Sequence, residues 1–185
     1  MNSNVFSPVM ITTNSEGGWK IFIRPFKHED TPLFTDMFNA LSKESIYSRF
    51  FSSIKSVPYK LLEIDYDHNI ALIAMSATQP EEKMLGIAHL ICNFSGKEAE
   101  TAVLVSDTWQ GKGIGTALMK QLINIAQKRG VETLWGLVLI ENIHTIALGR
   151  KLGFSFSLMS GVSEYEFHNC ILLNATLNLL NNERV

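Results

Sequence analysis

Two cysteines are all that this chain of 185 residues contains. Cys92 and Cys170 lack the paired spacing of a metal site or a disulfide framework. They read as buried free thiols of a cytoplasmic protein; a single disulfide between them is the alternative. Charge of one sign is missing too: 16 Lys and Arg against 18 Asp and Glu leave a net charge of −2. That balance gives no general attraction to nucleic acid or to an anionic membrane, so neither is expected as a partner. No apolar run approaches the roughly 20 residues that a bilayer span needs. Segment 1–18 has no basic residue before its short apolar patch, so no secretory signal is expected there. It is polar and expected to fray as a flexible N-terminal segment. His28, His68, His89, His144 and His168 are scattered without ligand spacing, and no metal is expected. Internal repeats and low-complexity tracts are absent. What is left is a globular composition, 46% apolar and 18% charged, long enough for one domain with a real core.

Against that background one stretch stands out. Ala102 to Val105 is a short apolar run. A polar turn follows, and then Gly111, Gly113 and Gly115 at alternate positions. Leu118, Leu122 and Ile125 recur at i, i+4 and i+7, with Lys120, Gln121, Asn124 and Lys128 between them. This is strand, glycine turn, amphipathic helix, stopped by Gly130. Such a turn leaves backbone N–H groups pointing outward, and the helix dipole adds partial positive charge. The product is a cradle for a phosphate.

The rest of the chain frames it. Trp19 to Arg24 reads as a first strand. Thr31 caps a helix with Pro32 at its first position and Phe34, Met37, Phe38 and Leu41 on one face. Ser42 caps a second helix through Phe50, and Pro58 opens a third around Leu61, Leu62 and Ile64. Ile70 to Ala77 and Leu85 to Asn93 form a hairpin, and Ala99 to Ser106 is the next strand. After the glycine turn and its helix, Glu132 to Ile140 is a strand. Asn142 caps a helix carrying Ile146 that Gly153 ends. Phe154 to Leu158 and Glu164 to Leu173 look like a closing hairpin around Gly161. Leu173, Leu177 and Leu180 suit a short terminal helix. The order predicts an α/β (α+β) fold: a mixed, mostly antiparallel twisted sheet with helices on both faces.

Which phosphate the turn suits is decided by its neighbours. No G-x-x-x-x-G-K-[ST] string exists, which removes the Walker loop. A dinucleotide fold wants a third glycine where Thr116 stands, and an acid that ends the next strand; Glu132 starts it. The string Gln110, Gly113, Gly115 instead resembles the acyl-CoA pyrophosphate loop, Q-x-x-G-x-G, of the GNAT superfamily of N-acetyltransferases. Asn142 through Arg150-Lys151-Leu152-Gly153-Phe154 is similar to that superfamily's second motif, one strand further on. Leu41-Ser42, Glu44-Ser45, Tyr47 and Arg49-Phe50-Phe51 resemble the L-S-x-E-S-x-Y-x-R-F-F segment of bacterial protein lysine acetyltransferases. So do Ile64 to Asp67 and Ala71 to Ala74. The resemblance runs from about Ile21 to Phe154. It implies one N-acetyltransferase domain over residues 19–173, with 174–185 as a C-terminal tail.

The resemblance also implies the chemistry. Acetyl-CoA would be the cosubstrate and a primary amine the acceptor, most readily a protein lysine. A small-molecule amine, such as a polyamine or amino acid, and a non-catalytic acyl-CoA sensor are the alternatives. Backbone groups of Gln110, Gly111, Lys112, Gly113, Ile114, Gly115 and Thr116 would hold the pyrophosphate, with Lys112 adding charge at the rim. Val103, Leu104 and Val105 would line the donor, one backbone N–H near Val103 or Leu104 polarising the thioester carbonyl. Asn142 would bond the pantetheine, cap its helix, or do both. Glu100 falls where the family keeps a catalytic glutamate, with Glu98 as competitor; an amine protonated at neutral pH needs such a base. Many members offer the leaving thiolate a tyrosine seven residues after the motif asparagine, and here that position is Gly149. Asp65, Asp67 and Glu63 form an acidic group that could attract a cationic substrate or be a solvated loop. Trp109 reads as packing and His144 as an exposed helical residue. The state of assembly, monomer or homodimer, is left open.

Overall fold

The computed structural model describes residues 9–12, 20–77, 82–159 and 171–180. The strands are β1 (Val9–Thr12), β2 (Lys20–Pro25), β3 (Asn69–Ser76), β4 (Met84–Cys92), β5 (Glu98–Val105), β6 (Thr133–Leu139), β7 (Ser155–Leu158) and β8 (Leu172–Asn178). The helices are α1 (Thr31–Asn39), α2 (Lys43–Phe50), α3 (Ile114–Lys128) and α4 (Ile143–Lys151). All eight strands join one sheet in the order β1-β2-β3-β4-β5-β6-β8-β7. Every neighbouring pair is antiparallel except β5 with β6.

The two faces follow from side-chain alternation. β3 and β4 lie mid-sheet under helices on both sides. Their residues are therefore buried along almost the whole strand, as a continuous apolar run requires. On one face Leu118, Leu122 and Ile123 of α3 pack with Leu85, Ala88, Leu90 and Ala99, joined by Ile146 and Leu152 from the α4 region. On the other face Phe34, Met37 and Phe38 of α1 pack with Phe26, Ile73, Ile87 and Leu104. Phe26 and Phe34 meet edge to face at 6.5 Å. Arg24 closes a two-pronged bond on Asp30, 2.6 and 2.7 Å, and the Lys27 amide donates to the same carboxylate. That carboxylate fixes the entry to α1, for which Asp30, not Thr31, is the capping position.

Three expectations need correction. Residues 172–178 form β8, which pairs with β6 from Leu139↔Leu172 to Thr133↔Asn178, so neither a terminal helix nor a tail beginning at 174 is present. Within segment 1–18, Val9–Thr12 is an edge strand on β2; its remaining residues lie outside those described. The helix after Pro58 is a single 3-10 turn, Tyr59–Leu62. The expected strand from Glu164 and the turn at Gly161 lie outside the described residues, as does Cys170; Cys92 is free and half-buried.

His89 in β4 is one polar group in this core, 3% exposed. Its Nε2 lies 3.2 Å from the Leu61 carbonyl oxygen and so carries the proton. Burial, then the charge of Arg49, pushes its pKa from 6.5 down to about 3, against the opposing bond to Leu61. The unfolded chain therefore takes up a proton here below about pH 6.5, and the folded chain only near pH 3. Stability must fall as pH drops through that window. Between pH 7 and pH 5, the parent should lose about 2 kcal/mol more than a His89→Gln variant in urea denaturation. Parallel pH profiles would show that His89 is not held neutral.

Candidate active site

The parallel ladder between β5 and β6 is short: Glu98↔Thr133, Ala99↔Leu134 and Glu100↔Trp135. Beyond it β5 stays with β4 as far as Gly86↔Val105, and β6 stays with β8 as far as Leu139↔Leu172. The two strands separate like the arms of a V. Alternate peptide groups of Thr101–Val105 then face the gap with no strand to pair with. At the apex stands Gly136. A Cβ there would lie 2.6 Å from the Thr101 carbonyl oxygen, so only glycine lets the strands touch where they part.

The glycine turn lies at the open end. Asp107–Trp109 is a 3-10 turn; Gly111 and Gly113 follow with φ of 72° and 86°. Both are left-handed, a region that disfavours side chains. A Cβ on either would meet nothing within 4 Å, so the space before them is open. Gly113 caps the 15-residue α3 without a side chain, leaving the helix's first N–H groups and its positive end directed at that space. Gly115 lies where α3 meets α4 and β5: a Cβ there would stand 3.4 Å from Leu148 and 3.6 Å from Val105, ordinary packing distances. A diphosphate fits such a cradle. Lys112 Nζ donates to the Thr108 carbonyl (2.8 Å) and lies 4.5 Å over the Trp109 ring, which holds its charge on the rim.

Gln110 does more than border the turn. Its Nε2 lies 3.1 Å from each of Ser45 Oγ, the Val105 carbonyl oxygen and Asp107 Oδ1. Asp107 accepts from the Ser42 amide (2.6 Å) and from Ser45 Oγ (2.5 Å). Ser42 also caps α2 by accepting from the Ser45 amide. The start of α2 is thus latched to the phosphate turn through residues more than sixty positions apart in sequence.

On β5 the even residues Glu100, Ala102 and Leu104 share a face, and Leu104 packs into the α1 side of the core. Across β4 they oppose Ile91, His89 and Ile87. Thr101, Val103 and Val105 turn to the α3 side, where Val103 and Val105 join the core. Glu100 is half-buried between Ile91 and Trp135, level with the apex of the V. α2 packs over β5 and β6 on the same side. Glu98 is exposed and tied into the hairpin turn, where its backbone and carboxylate meet Asn93. The geometry therefore separates the two carboxylates: Glu100 is half-buried where β5 and β6 part, and Glu98 is exposed in the hairpin turn.

Other candidates take structural places. Asn142 Oδ1 accepts from the Thr145 amide (3.0 Å), an N-cap of α4. Asp65 Oδ1 accepts three amides, of Asp67, His68 and Asn69, and builds the turn before β3. His144 is exposed, and Trp109 packs against the core. At Gly149 a Cβ would meet Phe156 Cζ at 2.6 Å; the ring of β7 fills the place a larger side chain would need. Among the described residues no group of His, Cys, Asp or Glu is arranged to hold a metal ion. No described helix is long and apolar enough to cross a membrane. Sequence reasoning passed over Gly136, although a glycine inside a strand signals close backbone approach. It also passed over Asp107, whose partners are too distant in sequence for any local pattern to show.

Comparison with known proteins agrees with this geometry. The sequence model of the acetyltransferase (GNAT) family matches residues 35–154. Acetyltransferase PA5475 of Pseudomonas aeruginosa is 29% identical over 143 residues, 75% of this chain and 77% of that protein. Acetyltransferase Pat of Mycolicibacterium smegmatis is 30% identical over 153 residues, 79% of this chain but 43% of the longer Pat. The GNAT domain of S. lividans PAT superposes with a TM-score of 0.78 at 20% identity, covering 96% of this chain and 99% of that one.

The apex contact gives a direct test. Gly136→Ala forces its Cβ against backbone and should lower stability by about 1–3 kcal/mol, read as a shifted urea midpoint. An unchanged midpoint would mean that β5 and β6 are not in contact at the apex.

Proposed function

The chain belongs to the GNAT family of acetyltransferases and uses acetyl-CoA as its cosubstrate, and we propose that it acetylates a protein lysine by direct transfer in a ternary complex. The observation that carries this reading is the position of Glu100. It is half-buried at the apex of the V, on the face that α2 covers, while the glycine turn stands at the far end of the same strand.

In this reading the backbone of Gln110 to Thr116 binds the pyrophosphate at the start of α3. The thioester arm enters between β5 and β6, along Val103, Leu104 and Val105, and a peptide N–H on that open edge donates to the thioester carbonyl. Glu100 takes the proton of the acceptor ammonium, directly or through one water. The amine nitrogen then bonds to the acetyl carbon, the carbon–sulfur bond breaks with its electron pair leaving on sulfur, and the second proton lost by the nitrogen passes through water to that thiolate. Asn142 serves by holding the start of α4 in register; its side-chain oxygen is already engaged by the Thr145 amide.

The lysine acceptor is supported by the segment from Leu41 to Phe51, which resembles that of bacterial protein lysine acetyltransferases. In the fold this segment becomes α2, which covers the cleft beside Glu100. A second reading, an acyl-CoA-binding sensor without turnover, is favoured by one observation. Gly149 gives the leaving thiolate no tyrosine, and Phe156 blocks the place of one.

Incubation with labelled acetyl-CoA against a cell lysate and a panel of free amines separates the acceptors. Label in protein bands supports lysine; label in small amines alone moves the acceptor there; no label supports the sensor. For the base, Glu100→Gln should bind acetyl-CoA with unchanged affinity by calorimetry, yet lose about 100-fold or more of kcat at neutral pH. Unchanged turnover would remove Glu100 from the mechanism.

A further inference from the structure

Arg49 lies in the last turn of α2, at the opposite end from the latch on Asp107. It is half-buried, with its guanidinium carbon 5.0 Å from the centre of the Phe50 ring. Among the described residues it makes no ion pair and no hydrogen bond. A guanidinium has five N–H donors, and taking it from water without an anion is strongly unfavourable. Burial accordingly holds its pKa below the usual arginine range, and the charge of Glu100 pulls the other way.

The surroundings of this cation are particular. Glu100 of β5 acts on its charge, and its charge acts on His89 of β4. These two flank Ala102 on the face that α2 covers, since His89 is the register partner of Ala102 and Glu100 stands two residues before it. His89 is neutral, so it neither repels nor satisfies the guanidinium. Among the described residues Glu100 is the one carboxylate whose charge bears on it, yet the two do not come within the 4.0 Å of an ion pair. The residue between them on the sheet is an alanine, which offers a methyl group and little bulk. A positive group on α2 and a negative group on the strand that α2 packs against thus lie beyond ion-pair distance of each other, and each is left available to a third party.

We propose that Arg49 is an anion subsite of the acceptor pocket, and that the preferred acceptor carries a carboxylate close to its amine. The amine meets Glu100 and the carboxylate meets the Arg49 fork. For a protein acceptor this means a lysine with Asp or Glu beside it in sequence. The inference rests on the reading of Glu100 as the group that meets the acceptor amine. The donor's phosphates are not the anion in question. The glycine turn begins beyond Val105, about 17 Å along β5 from Glu100 at strand spacing. Arginine also suits the task better than lysine, because its planar fork takes a carboxylate in two parallel bonds.

The test uses matched acceptors with the intact protein. One pair is a lysine peptide with Asp, or with Asn, next to the lysine. The other is an amino acid and its carboxamide. Initial rates give kcat/KM for the parent, Arg49→Gln and Arg49→Lys, with acetyl-CoA affinity and melting temperature as checks on folding. The parent should prefer the carboxylate member of whichever pair it acetylates by about tenfold or more. Arg49→Gln should erase that preference by slowing the carboxylate member alone, and Arg49→Lys should keep part of it. Equal rates within both pairs in the parent would overturn the subsite. So would an Arg49→Gln variant that slows both members alike and keeps the preference. Should Arg49→Gln fail to fold, the parent's own preference and the Arg49→Lys variant decide. Acetylation of the amino acid pair alone, with the preference intact, ends the lysine reading and keeps the subsite. Acetylated peptides without preference do the reverse.

Discussion

The parallel pairing of β5 with β6 lasts three residue pairs, and the active site depends on where it ends. A sheet gains most when its ladders run the full length of its strands. Here each of the two strands is held by its other neighbour, β4 or β8, and the ladder between them is abandoned after Glu100 and Trp135. Gly136 permits the last close contact, and α2 covers the parting on one face. The gap therefore leaves peptide groups of β5 without a strand partner on that side. That is where an acyl group can be gripped by backbone alone. At the open end the same strand runs into the glycine turn and the positive end of α3. One strand thus joins the carboxylate, the peptide edge and the phosphate cradle in order.

A second constraint joins the two halves of the site. Asp107 and Gln110 belong to the turn, while Ser42 and Ser45 belong to α2, and hydrogen bonds of 2.5–3.1 Å tie them together. α2, which packs beside Glu100, cannot drift from the glycine turn without breaking a charge-assisted network. This explains why a serine-rich helix start is coupled to a glycine turn so far along the chain. It also gives Gln110 a role that its place in the motif does not disclose: its side chain braces the turn against α2 and the end of β5.

Much of this was legible in the sequence. The amphipathic period of α3, the faces of α1, the hairpin of β3 and β4 and both helix caps at Ser42 and Asn142 are local patterns, and the fold uses each as written. The glycine turn before α3 was legible because glycine at positive φ has few substitutes. Residues 172–178 were misread for a physical reason. Leu173, Leu177 and Leu180 repeat at helical spacing, but the buried residues are Leu172, Ala175, Leu177 and Leu179, and the last three alternate as in a strand. Two asparagines among them hid the alternation. The choice of Glu100 over Glu98 could not be made from residue type, since both project to the same face of β5; it takes the hairpin at Asn93 to tell them apart. His89 and Asp107 act through partners far away in sequence, and no local pattern carries that information.

The central claim is that the donor lies in the gap between β5 and β6 with its phosphates on the glycine turn. Amide hydrogen exchange, followed residue by residue with and without saturating acetyl-CoA, tests it most directly. The account predicts slowed exchange in two stretches, residues 102–105 and 111–116, while the amides of β3 are unchanged. Saturated binding with no protection in either stretch would contradict it.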